Sequence, residues 1–237
     1  MDNLLFLFKL TNSYRMLLKK IYLSWRLSKG DGQFLVGIFS RENSSGDDIV
    51  FKYQSDEVKK ASNKGFYNYP EFPDFDKEYH TNLKTALSLR LMPKTRADRN
   101  NYLSFWNANI EGLDWFDELG FTQGELATDT FEFLAEYPKK HNGVGVNFVS
   151  DIAALSHLKL DSDCVNIGDK LRFELEPENQ VDKSAVKIFK NSECIGYVKR
   201  GHNLFFHKVK NEEIDIRVTN LEKNGKMKQI YFSVRVI

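Results

Sequence analysis

Positive charge, aromatic rings and a polar turn crowd into one stretch of this chain, residues 176–210. From Lys183 to Lys210 the cations are Lys183, Lys187, Lys190, Lys199, Arg200, Lys208 and Lys210, with Glu193 the only acid among them. Such a window attracts phosphates, with an affinity that falls steeply with salt. Phe189, Tyr197, Phe205 and Phe206 are interleaved with the cations, and a base stacked on an exposed ring is worth about 1–3 kcal/mol. Tyr197 is the better stacking candidate, because its hydroxyl end tolerates water. At least two of the three phenylalanines are expected in the core; Phe206 is kept as a candidate contact. Just upstream, Glu176-Pro-Glu-Asn-Gln-Val-Asp-Lys-Ser-Ala-Val-Lys-Ile188 places Glu178, Asn179 and Asp182 in a polar knot between two strand-like runs. Asx residues in such a knot hold the turn by accepting bonds from nearby backbone.

Catalytic constellations are thin. His80, His141, His157, His202 and His207 show no His-x-x-x-His spacing, and Cys164 and Cys194 no Cys-x-x-Cys. No metal site is expected from them. His202 and His207, five apart, fall on different faces of a helix. Asp74, Asp76 and Glu78 lie in a proline-punctuated loop and read as solvated charge, with no second acid cluster to complete a metal-dependent phosphoryl site. There is no glycine-rich phosphate loop before a lysine-bearing strand, no catalytic loop or metal motif of kinase type, and no Gly-x-Ser-x-Gly elbow. The expectation is a non-enzyme that needs no cofactor.

The chain has 237 residues, enough for one large or two small domains. Its net charge of +1 gives no global bias, so any anion-binding surface must be local. The two cysteines read as buried free thiols, which fits a reducing cytoplasm. The apolar run Leu4 to Phe8 is too short to span a bilayer and lacks a cleavage site, so neither a membrane span nor a leader is expected.

Ile21–Arg26 and Phe34–Phe39 read as a hairpin around Lys29-Gly-Asp-Gly32, followed by a loop over residues 41–48 and a strand Ile49–Tyr53. A short helical turn runs from Ser55 to Ala61, and Tyr67–Tyr79 is an aromatic, irregular loop. Helices are expected over Leu83–Leu91 and Ala97–Asn107, and over Trp115–Leu119, capped by Asp114 and stopped at Gly120. Thr130–Ala135 is strand-like. Proline, glycine and charge gather at Tyr137–Gly143, where the boundary between residues 1–141 and 142–237 is placed. Beyond it come short β runs: Val144–Val149, Lys170–Glu176, Ala185–Lys190, Glu193–Lys199, Glu213–Leu221 and Gln229–Val236. Asn224-Gly225 is a hairpin turn signal, and His202–Lys210 is a helix candidate. The fold class is α+β: a mixed first half with a small antiparallel sheet plus helices, then a small, mostly-β, barrel-like module.

The knot, closed by Cys194-Ile-Gly-Tyr-Val-Lys-Arg200, resembles the HIRAN domain, a small β module of DNA-remodelling helicases and of bacterial solo or fusion proteins. The resemblance implies binding of DNA, single-stranded or at a 3′ end. The family's pocket residues carry over to Asn179 and Asp182, and Asp182 could accept a hydrogen bond from a terminal hydroxyl that an internal phosphodiester does not offer. With them the candidate contacts are Lys183, Lys187, Tyr197, Lys199, Arg200, Phe206 and Lys208. Two departures weaken the binding inference more than the fold inference. The family's Pro-Tyr is Gln180-Val181 here, and on the first strand Asp151 to His157 supplies only His157 as a planar ring.

The first half, residues 20–135, resembles the N-terminal subdomain of HipA-type kinases, toxins of bacterial toxin–antitoxin systems. The ordered pieces are Val36-Gly37, Phe51-Lys-Tyr53, Leu91-Met-Pro93 with Arg96 and Arg99, Trp115-Phe-Asp-Glu-Leu-Gly120, and Gly124-Glu-Leu126, which departs from the family's Gly-Ala. The kinase body that follows in that family has no counterpart here. The resemblance implies a regulatory or antitoxin-like subunit that docks a HipA-type kinase in trans, with Arg96, Arg99, Trp106, Trp115 and Phe116 as candidate partner contacts. The alternative is a stand-alone DNA-binding accessory protein in repair, replication or phage defence, with the first half as scaffold.

Overall fold

The computed structural model describes residues 18–42, 48–141 and 143–237. The apolar run at Leu4 to Phe8 and the middle of the 41–48 loop lie outside the described residues.

Strands β1 (Lys20–Trp25), β2 (Phe34–Arg41) and β3 (Ile49–Tyr53) open the chain and pair as antiparallel neighbours. Helix α1 (Ser55–Ser62) follows, then the expected irregular aromatic stretch. That stretch is pinned from within: the Tyr53 hydroxyl donates to the Phe72 carbonyl at 2.7 Å and accepts from the Tyr69 amide at 2.9 Å. Phe39, Phe51, Phe72 and Phe133 pack ring on ring beneath it.

The helix expected over Leu83–Leu91 is broken. Helix α2 covers Leu83–Ala86, and a 3₁₀ turn covers Ser88–Arg90. The tighter turn carries Arg90 inward, where it grips Asp129 with two nitrogens and lies over the Tyr69, Phe131 and Phe133 rings. Helix α3 spans Arg99–Phe105 and α4 Trp115–Thr122. Asp114 caps α4 in a capping box, its Oδ1 accepting from the Phe116 and Asp117 amides. Gly120 does not stop this helix. A Cβ there would stand 2.5 Å from Leu18 and 3.1 Å from Ala135, so glycine lets α4 press on the sheet, and Gln123 makes the left-handed exit. Strand β4 (Phe131–Ala135) then completes a four-stranded sheet in the order β3-β2-β1-β4.

A sheet at the surface of a domain should alternate buried and exposed residues. Strands β1 and β4 do not: both are buried on both faces. One face carries Leu23 and Phe133 into the aromatic core. The other carries Tyr22, Ser24, Glu132 and Leu134, paired across the strands, and is covered by the second half of the chain.

The expected boundary begins with Tyr137, which is fully buried and stacked on Phe148 with centroids 3.8 Å apart. Short strands β5 (Lys140–His141) and β6 (Val144–Gly145) form a two-stranded turn there. Strand β7 (Asn147–Ala153) runs past the expected end at Val149, followed by helix α5 (Leu155–Leu158). Strands β8 (Arg172–Leu175), β9 (Val186–Lys190) and β10 (Glu193–Val198), helix α6 (Asn203–Lys208), and the long hairpin β11 (Ile214–Asn224) and β12 (Lys226–Val236) complete the chain. The six strands order as β11-β12-β7-β10-β9-β8, all antiparallel. The two edges curl toward each other: Leu171 and Gly168, just ahead of β8, donate to Ile216 and Val218 of β11. The result is a partly closed barrel. Gly196 makes a tight crossing, since a Cβ there would lie 2.2 Å from Ile152 on β7. No helix among the described residues is long and apolar enough to cross a membrane.

Candidate nucleic-acid interface

The knot between β8 and β9 is built by two side chains. Asn179 Oδ1 accepts from the Val181 and Asp182 amides, both at 2.9 Å, and its amide group donates to Glu176. Asn179 is therefore a turn-holding residue. Asp182 divides its oxygens: Oδ1 accepts from the Ser184 amide at 2.9 Å, and Oδ2 accepts from Asn203 at 3.1 Å and faces Arg200 Nε at 3.6 Å. One carboxylate both holds the turn and looks into a cavity.

That cavity, about 230 Å³, lies between the two halves. Asp182, Arg200 and Asn203 form one wall; Tyr22, Gln54 and Glu57 form the other. The Arg200 guanidinium bridges it, donating to Glu57 Oε2 at 2.7 Å and to the Gln33 carbonyl at 3.2 Å. Burial alone would push the Glu57 carboxyl up, but hydrogen bonds from Lys60 and Arg200 outweigh it and hold the carboxyl below its ordinary value.

Lys199 points the other way, and its expected role as a DNA contact is corrected. Its side chain is 1% exposed, and its ammonium lies 2.5 Å from Asp151, 3.0 Å from Glu125 and 3.3 Å from Glu132, with Gln123 Oε1 at 2.6 Å. Arg26 joins Glu132 from the far side. Burial by itself would discharge the lysine, yet Asp151, Glu125 and Glu132 raise its pKa above the ordinary value. The cluster holds three carboxylates against two cations, one negative charge in excess. The excess is resolved unevenly. Lys199 draws the Glu125 carboxyl down to about 2, whereas burial drives Glu132 up to about 7 and raises Asp151. A phosphate has no route to this lysine in the folded chain.

Phe206 is likewise corrected: it is fully buried against Phe173 and Phe205 and serves the core. Lys187 is held by Glu176, and Lys208 by Glu136 at 2.7 Å. Tyr197 is half-buried, with its pKa raised by burial and then by a hydrogen bond to Glu176. Lys183 and Lys210 are exposed on the knot and after α6, and His157 is exposed on α5. Val181, in the place of the family's tyrosine, is 93% exposed at the tip of the knot.

Among the candidate partner contacts, Trp106 and Phe116 are buried and are corrected. Trp106 lies against Tyr231 of β12 at 5.9 Å, wedged into the seam between the halves, and Phe116 is core beneath Arg41. Arg99 is clasped by Glu118. Arg96 is exposed beside Asp98, and Trp115 is half-buried. Among the histidines, His202 is fully buried, bonded through Nδ1 to Ser150, with its pKa pushed down to about 3 by burial and by Lys199. No group of His, Cys, Asp or Glu among the described residues is placed to hold a metal ion.

Sequence reasoning missed Glu57, Glu132, Asp151, Gln33 and Glu125, because each meets Lys199 or Arg200 from 48 to 167 positions away along the chain. Their one local signal was charge in otherwise apolar strands, as at Glu132 in Phe131-Glu-Phe-Leu-Ala135 and Asp151 in Val149-Ser-Asp-Ile152.

The family model for the HIRAN domain matches residues 145–235. Among solved structures, the chain is similar to the crystal structure of the HIRAN domain of human HLTF, at 18% identity and a TM-score of 0.31, covering 38% of this chain and 75% of that one. No curated protein matches. On the sequence match, residues 145–235 form a HIRAN domain.

Proposed function

We propose that this protein binds DNA through its HIRAN domain, at a single strand or a 3′ end, and that it acts by binding rather than by chemistry. The observation that carries the reading is the wall of the cavity formed by Asp182 and Arg200, 3.6 Å apart. A guanidinium offers a planar fork of donors to a phosphate. The adjacent carboxylate offers acceptors to a terminal hydroxyl. Lys183, the chain neighbour of Asp182, adds exposed charge on the knot. With Lys199 enclosed, few phosphates are within reach, so the salt dependence should be shallow, with a slope of about −2 if about three phosphates are neutralised.

The test is fluorescence anisotropy with a single strand ending in a 3′-hydroxyl or a 3′-phosphate. Binding should favour the hydroxyl end and fall in both Asp182→Ala and Arg200→Ala. Affinity within about twofold of the parent in both variants would remove the site.

A finer reading adds regulation of a HipA-type kinase in trans by residues 1–141, in the cytoplasm. It is supported by the ordered motifs of residues 20–135 and by the surface positions of Arg96 and Trp115. Co-purification with such a kinase, lost in Arg96→Glu, is its test. A chain that binds DNA and retains no kinase is instead the stand-alone accessory protein.

A further inference from the structure

We infer that Glu57, in the first half of the chain, is an intramolecular competitor for DNA phosphate at Arg200. The inference rests on the proposed DNA reading and concerns how the same cavity is regulated.

Arg200 is the one cation of the family's closing motif that remains partly open, with a side chain 30% exposed. Its fork is already engaged. Nη1 donates to Glu57 Oε2 at 2.7 Å and Nη2 to Oε1 at 3.4 Å. A carboxylate held by two guanidinium nitrogens occupies the geometry that a phosphate would take. Asp182 flanks the same guanidinium, so two carboxylates line the cavity around one cation. An incoming phosphate meets net negative charge until one of them yields. Asp182 is tied into the knot by its bonds to Ser184 and Asn203. Glu57 is the one able to move.

Glu57 can also afford to let go. It lies in the first turn of α1, where the helix amides favour a negative charge. Lys60, one turn on, already holds its Oε1 at 2.8 Å. Releasing Arg200 leaves the carboxylate paired, so the exchange costs little. The other contacts of Arg200 with the first half, to Gln33, are neutral and do not compete for the charge. The first half thus sets the threshold for DNA binding in addition to supporting the module.

The experiment uses the full chain and a 5′-labelled oligothymidine, titrated by anisotropy at several salt concentrations. Glu57→Gln, close in shape and neutral, should bind about fivefold tighter than the parent, with a salt slope steeper by about 0.7, one further single-strand phosphate. Lys60→Ala leaves Glu57 on Arg200 and should show no gain. Glu57→Ala, with its melting temperature measured alongside, should repeat the gain. If the parent binds and Glu57→Gln binds equally, the inference is overturned while the DNA reading stands. A gain that persists in Glu57→Gln with Arg200→Ala would also overturn it, as a general charge effect. If neither parent nor variant binds at low salt, the DNA reading itself fails, and this inference falls with it.

Discussion

Lys199 and Arg200 are neighbours in the chain, yet they end in two different kinds of charge cluster. The Lys199 cluster is sealed around its cation: the ammonium, on a side chain 1% exposed, lies among buried Asp151 and Glu132, and Glu125 reaches it from the partly exposed rim. The Arg200 cluster is half open: one guanidinium between Glu57 and Asp182 at the edge of a cavity. Consecutive residues leaving a strand point to opposite sides. Here both sides face the first half, but one is closed against it and the other opens on the cleft between the halves. The same two-residue cationic motif therefore divides into a structural member and an exchangeable one. A buried charge that loses its partner is costly, whereas an exposed pair contributes little and can be traded.

Removing the sealed cation should have the largest effect. Lys199→Ala strips the buried Asp151 carboxylate of the ammonium beside it and leaves buried Glu132 with Arg26 alone, and should destabilise the fold by about 3–5 kcal/mol in urea titrations. An equal loss on Arg200→Ala would erase the distinction between the two clusters. Next is the seam itself. A Cβ at Gly201 would stand 2.5 Å from Leu134, so Gly201→Val should cost about 1–3 kcal/mol by forcing the halves apart, read as a lowered Tm.

The sealed cluster should also titrate. Burial raises the Glu132 carboxyl from 4.5 to about 7. The stability tied to its proton is fully present below about pH 4.5 and is lost as the pH rises through about 7. Glu132→Gln keeps that side chain neutral throughout. Its stability relative to the parent should therefore improve by on the order of 2 kcal/mol between about pH 5 and about pH 8. A constant difference across that range would place the excess proton elsewhere. The smallest expected effect lies on the open side: Val181→Tyr restores a ring at the tip of the knot and should tighten single-strand binding by about 1 kcal/mol, roughly fivefold, at no cost in Tm.

The knot was legible because its chemistry is local. Asn179 and Asp182 bond to amides two or three residues away, and those spacings are written in the sequence. The Asp114 cap was legible for the same reason. Gly120 misled because a glycine that ends a helix and one that permits close packing look alike in one dimension. The basic window misled more deeply. Lys187, Lys190, Lys199 and Lys208 looked free because their acids, Glu176, Asp169, Asp151 and Glu136, are brought to them by tertiary folding. A local count of charge cannot register partners that arrive from other strands.

The ring of Tyr137 laid flat on Phe148 has a consequence for how the molecule can be divided. A fragment starting near residue 142 would lack that ring and leave Phe148 and His202 facing water where Tyr137 now covers them. Both halves contribute to one continuous apolar core. The chain should therefore melt in a single calorimetric transition whose enthalpy equals the van't Hoff value. Amide protons on β4 and on β7 should then exchange through the same global opening. The HIRAN domain of this protein is best studied with its first half attached.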